Sequence, residues 1–358
     1  MSFNQYTWDL YKQTTIGIEM IKYFSDAGGY VLFKDYCPYA NFIPEDLYND
    51  WLENIYCYGV SDYDHPSSLE EAKDLYISLI TLGIRVEGQQ WLPANDFKNM
   101  LGIIQPMSYV LSQFAPEYFF PYLFLCRIFE LNKIADFFNI DLPNIPKRTD
   151  YKGRCMYYWE LCEVFYLFRK ENGLSPADLW SFLYDFAPNN LPSEKIDMPK
   201  PSQVWFIGGR LYQEDKSLES KFWQSSPETK KGDILVHYET SPISAITCIE
   251  ISLTDGVIDP LFRYYGCIYI GNRINIPHIT LKELQTDEYF FKHPLVRKNF
   301  QGVNGWSVNS ENYSELLRMI KTKGFDIEVL PKLYAPTLPK DVIIEYEHLS
   351  LIHISEPT

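Results

Sequence analysis

Four aromatic residues in the second half of the chain, Trp205, Trp223, Tyr238 and Trp306, lie in or beside short apolar runs. Flat rings on the connecting loops of a small barrel hold a planar ligand by stacking. The alternative is ordinary core and rim packing. Upstream, Asp185 stands in LWSFLYDFAP, a carboxyl group among large apolar side chains near a helix end. Burial there raises a carboxyl pKa and suits a general base, whereas a capping or ion-pairing role needs no chemistry. Glu160 and Glu163, in YYWELCEVF, are three residues apart and share one face of a predicted helix. Arg210, Lys230, Lys231, Arg263, Arg273, Arg297 and Lys298 are the cations placed to hold phosphates by charge-assisted hydrogen bonds, or simply to solvate the surface.

Other chemistries find no support. His65, His237, His278 and His293 show no HxxxH or HxH spacing and no nearby cysteine pair, so no metal site is expected. There is no GxxxxGK[ST], GxGxxG or GxSxG, which disfavours nucleoside triphosphates, dinucleotides and a serine-hydrolase elbow, and no cofactor is expected. The seven cysteines include no CxxC, are odd in number and sit mostly in apolar runs, as buried reduced thiols of a cytoplasmic protein do. The N-terminus lacks the apolar core of a signal peptide and no 18-residue apolar span occurs, so no membrane association is expected.

The net charge is −15. The first 200 residues hold 16 Lys and Arg against 27 Asp and Glu, and the remainder holds 16 against 20. Neither half binds nucleic acid through bulk charge, although a local basic patch is compatible with this balance. The more acidic half also suits a basic partner protein.

The elements that must position these residues fall into two sets. Helical spacing runs through Asn4 to Asp26 and is stopped by Gly28-Gly29; Tyr30–Phe33 reads as a short strand or a continuing core segment. Helix starts follow at Pro44, at Ser67 with a capping-box spacing, and at Pro93. The aromatic run from Pro116 to Ile140 predicts about two helices, and Tyr151 to Asn172 predicts one long one. Ser175-Pro176-Ala177-Asp178 opens another, which should end before Pro188. Residues 191–202 are Pro-rich and mark a linker after a helical domain, 1–190.

Beyond the linker come short β-rich runs: Val204–Ile207, Ile234–Tyr238, Ser244–Ile251, Gly266–Ile270 and Ile274–Pro277. Ser310 to Lys323 is an amphipathic helix closed by Gly324. The order of these pieces carries a resemblance: a Trp-bearing strand, a Trp-bearing loop, KKGDILVHY, a Pro turn, SAITCIEI, a DP, IPHITLKEL, HPLVRKNFQG and a helix. It resembles the EVE domain, a PUA-like β-barrel related to the YTH readers of modified bases, over residues 203–325. Where an EVE domain usually has a Ser-Glu-Pro turn after its first strand, this chain has Gly208-Gly209-Arg210.

Joined to the helical reading of residues 1–190, the resemblance gives an α+β protein: a mostly helical N-terminal domain followed by a PUA-like β-barrel with flanking helices. It also implies a cage in which Trp205, Trp223, Tyr238 and Trp306 flank a flipped base. Asp259, Asn304 and the Gly208–Arg210 backbone would read the base edge, and Arg210, Lys230, Lys231, Arg297 and Lys298 the phosphates. The expected partner is nucleic acid, DNA with modified bases first, in prokaryotic defence. A second expectation is a DNA glycosylase with Asp185 and Glu160 as its carboxylates, and a third is an acidic interaction module. The tail, 326–358, ends in LIHISEPT, which looks like a translated sequencing adapter and is expected to be foreign to the protein.

Overall fold

The computed structural model describes residues 3–37, 40, 43–192, 198–211, 220–262 and 265–334. Tyr212, Arg263 and the tail from residue 335 lie outside them. The protein is of the α+β class, about half helical, with a curled mixed sheet and a small antiparallel hairpin, β1 (Ile84–Val86) and β2 (Gln89–Leu92). It divides into two compact units. One comprises Met1–Ile196, Phe222–Pro227 and Val257–Cys267; the other comprises Asp197–Lys221, Glu228–Gly256 and Ile268–Thr358.

The first unit is helical. Asn4 to Asp26 forms two helices, Gln5–Gln13 and Thr15–Asp26, because Thr14 turns extended and its Oγ1 accepts the Gly17 N–H at 2.9 Å. Tyr30–Phe33 is helical, within Gly29–Tyr36. A helix not anticipated from the sequence, Ile104–Phe114, is buried over most of its length. The helix opened by Ser175-Pro176 starts as expected, its Ser175 cap closed into a capping box with Asp178, but carries on through a wider turn at Phe182–Phe186 to Asn190, past Pro188.

Between Pro116 and Ile140 only the second expected helix forms, Ile128–Phe138. Pro121 lacks an amide proton, and residues 119–124 are buried without helical hydrogen bonds. Side chains satisfy the stretch instead. Tyr158 and Tyr184 hydroxyls donate to the Phe120 and Pro121 carbonyls at 2.8 and 2.5 Å. Ser108 Oγ accepts the Tyr122 N–H at 2.8 Å, and Tyr184 Oη accepts that of Leu123 at 3.2 Å. A buried irregular segment is tolerable only when its backbone groups are met in this way.

The second unit carries most of the curled sheet. The strands of the sheet are β3 (Val204–Gly209), β4 (Ser220–Gln224), β5 (Ile234–Glu239), β6 (Ala245–Ser252), β7 (Val257–Ile258), β8 (Gly266–Thr280) and β9 (Trp306–Val308). They run in the order β4-β8-β6-β5-β3-β9, with β7 on β8. β3 and β5 are parallel; β3–β9, β5–β6, β6–β8 and β7–β8 are antiparallel. The two runs expected around 266–277 are one 15-residue strand, and Asn272 within it has φ 52°. Val204, Phe206, Val236, Ile249 and Ile276 pack on one face with Leu316 and Ile320 of the helix Ser310–Thr322. β3, β5 and β6 are buried on both faces, unlike the half-buried sheet that the short β-rich runs suggested.

Candidate functional site

The end of β3 is where the second unit gathers aromatic and polar groups. Gly208 is required there by close approach: a Cβ would lie 2.4 Å from Val303 Cγ1 and 3.0 Å from the Tyr238 carbonyl oxygen. Its N–H donates to Asn304 Oδ1 at 2.7 Å, and the Gly305 N–H donates to the Phe206 carbonyl at 3.0 Å. Segment 293–306 is thereby fastened to the strand. Behind it the rings form a continuous stack. Tyr238 lies on Phe300 at 4.0 Å with 3° between planes, and Phe300 meets Phe206 edge-on at 5.5 Å. His293 lies 6.0 Å from Phe206 and 6.5 Å from Trp306. Burial holds the His293 imidazole below its ordinary pKa, which favours the neutral ring.

Tyr238 is buried in this stack, whereas Trp306 and Asn304 are partly exposed. Arg297 and Lys298, on the same segment, are exposed and form no ion pair among the described residues. Arg210 is exposed just beyond β3, with its guanidinium donating to the Ser241 carbonyl at 3.0 Å.

The other face of the sheet is different. Trp205 is 5 % exposed and its indole N–H donates to Asp233 Oδ2 at 2.9 Å. Asp233 also accepts from the backbone of Gln203 and Lys230 and from Ser202 Oγ. The KKGD element is therefore a turn clamped by its own carboxylate. Lys230 is exposed and pairs with Asp255 at 3.9 Å, and the Lys231 backbone N–H donates to the same carboxylate at 2.8 Å.

Further along this face an ionic layer is buried. Glu250, 1 % exposed, receives Arg273 Nε and Nη2 on Oε1, both at 2.8 Å, with Lys221 Nζ at 3.9 Å. Its Oε2 meets His237 Nδ1 at 3.0 Å; an ionised carboxylate only accepts, so Nδ1 carries the proton. Burial pushes the Glu250 pKa up, but His237, Lys221 and Arg273 outweigh it and bring it down to about 2. Sequence reading missed this layer. The signal was one ionisable residue inside each of two apolar strands, His237 in ILVHY and Glu250 in TCIEI, and no local spacing connects the two.

In the helical unit, Asp259 is fully buried. It accepts the Leu261 and Cys126 N–H groups at 3.0 and 3.3 Å, and burial outweighs these bonds to push its pKa up to about 7. Arg154 holds the following loop through the Pro260 and Phe262 carbonyls, both at 2.7 Å. Trp223 is partly exposed on the segment Phe222–Pro227.

Asp185 is half-buried, with Oδ2 taking the Tyr11 hydroxyl at 2.6 Å and Oδ1 the Asn189 amide at 3.0 Å. Glu160 has a raised pKa, from partial burial and then from Glu163, which itself pairs with Lys73 at 3.6 Å. Asp185 and Glu160 thus have separate sets of partners. Among the described residues, no helix is long and apolar enough to cross a membrane.

No protein-family model matches the chain, and no curated protein matches it in sequence. Some solved structures are similar to about a third of it. Rpa0253 from Rhodopseudomonas palustris has a TM-score of 0.29 and 14% identity, over 34% of this chain and 94% of its own. A hypothetical protein from Leishmania major has a TM-score of 0.29 and 12% identity, over 35% and 98%. The YTH domain of Zygosaccharomyces rouxii MRB1, solved with N6-methyladenosine RNA, has a TM-score of 0.25 and 11% identity, over 36% and 94%.

Proposed function

We propose that the sheet-bearing unit binds nucleic acid and reads a modified base against Trp306. The observation that carries this reading is a partly exposed indole set on a rigid stack, with two exposed cations, Arg297 and Lys298, on the same short segment. Stacking on such an indole contributes about 1–3 kcal/mol per base. The cations would hold the flanking phosphates, and Asn304 with the β3 terminus would frame the base edge. A fixed shelf lowers the ordering cost of binding. Reading is favoured over base excision because both Asp185 oxygens are already occupied, by Tyr11 and Asn189.

The test is fluorescence anisotropy of the full chain with short DNA and RNA oligonucleotides, each unmodified or carrying N6-methyladenine or 5-methylcytosine. Trp306→Ala should weaken binding of the preferred probe by about 5- to 150-fold, the stacking range, with the fold unchanged by circular dichroism. Equal affinity of wild type and Trp306→Ala for every probe removes the proposal.

A further inference from the structure

His237, Cys248 and Glu250 each offer a ligand atom on the ionic face of the sheet, and those atoms all lie within 4.8 Å of one another. All three side chains are buried. His237 and Cys248 sit opposite each other across β5 and β6, and Glu250 follows two residues later on the same side. The pairing shifts register next to His237 and again between Ile246 and Cys248 and between Ile249 and Ile251. Such irregularities re-aim side chains.

The geometry points to a transition-metal site here, of the zinc or ferrous-iron class, distinct from the Trp306 group. Imidazole, thiolate and carboxylate together suit these ions and not magnesium or calcium, which take oxygen ligands. Ligand atoms around a tetrahedral zinc are about 3.5 Å apart, so closure needs only small side-chain adjustments. Arg273 already fixes Glu250 Oε1 and orients the group, while Oε2, which here accepts from His237 Nδ1, becomes a ligand once that proton leaves. On binding, the thiol proton of Cys248 leaves, and so does the proton that His237 Nδ1 shares with Oε2 if that nitrogen ligates.

Three protein ligands leave a fourth position open. Thiolate and carboxylate neutralise the dication, yet Arg273 and Lys221 stay positive beside it. The fourth ligand is therefore an anion: hydroxide, chloride or a phosphate oxygen. The same cations select against a bare, fully hydrated dication, which is why a thiolate-bound metal is the species that fits.

The experiment titrates the full chain, stripped with chelator, with cobalt(II) and then zinc. The expected result is one equivalent of cobalt with a thiolate-to-cobalt charge-transfer band, displaced by zinc, and a zinc-dependent rise in Tm that chelator reverses. Cys248→Ser and Cys248→Ala should lose the band and bind zinc at least about tenfold more weakly, whereas Cys267→Ser, at another buried thiol, should keep both. A wild type that shows neither band nor stoichiometric binding overturns the site, whatever the variants do. So does a folded Cys248 variant that binds as wild type does.

Discussion

Asp259 and Glu250 are both buried carboxyl groups, one in each unit, and their pKa values move in opposite directions, to about 7 and about 2. Burial acts on both alike. The difference is in the donors. Asp259 takes backbone N–H groups and feels Arg154 without an ion pair to it, whereas Glu250 takes a guanidinium and an imidazole directly, with an ammonium nearby. Neutral donors recover part of the lost hydration; cations recover it and more. Depth in the core therefore does not fix charge state, and a buried acid must be read together with the formal charges around it.

The contrast is open to tests, taken here from the largest expected effect. Arg273→Met removes the cation that makes two contacts with Glu250 and should lower unfolding free energy by about 3–5 kcal/mol at neutral pH, as breaking one side of a buried pair does. A loss below about 1 kcal/mol in urea unfolding would mean that Lys221 and His237 suffice without it.

The two acids should also titrate stability in opposite senses. For Asp259 the folded pKa lies above the ordinary aspartate value, so its contribution is fully present below about pH 4 and is lost as pH rises through about 7, on the order of 4 kcal/mol in all. For Glu250 the folded pKa lies below 4.5, so its contribution is present above that value and is lost as pH falls through about 2. Denaturant unfolding from pH 4 to 8 should show a downward slope in wild type that Asp259→Asn abolishes; a slope unchanged in the variant would assign it to another group. The smallest effect is expected at Asp185, whose partners Tyr11 and Asn189 are neutral and which is only half-buried. There Tyr11→Phe should cost about 1 kcal/mol, and a cost of several would show that this acid behaves like the buried pair.

Much of the second unit was legible in the sequence, for a physical reason. Val204–Ile207 and Ile234–Tyr238 declare strands as short apolar runs and Ser244–Ile251 by alternation, and Gly232-Asp233 declares the turn before β5. What was not legible depends on partners far along the chain. Residues 119–126 read as helix because the hydroxyls that hold them extended come from Tyr158 and Tyr184. Trp205 read as a ligand-facing ring, and its indole N–H proves to be spent on a turn 28 residues away. The Glu250 layer joins residues from four strands, and none of their spacings is local. Trp306 could be picked out by type, but its difference in exposure from Tyr238 arises only once Phe300 covers one ring and leaves the other partly open.

The tyrosines that face residues 120–123 bear on how this chain can change over time. A ring without its oxygen would fill the same volume at positions 158 and 184, yet it would leave peptide oxygens dry in the middle of the helical half. Drift from tyrosine to phenylalanine, ordinarily mild, is barred at these two places. An abundance of phenols that looks like compositional bias is thus, in part, the solvent of a peptide stretch that water cannot reach.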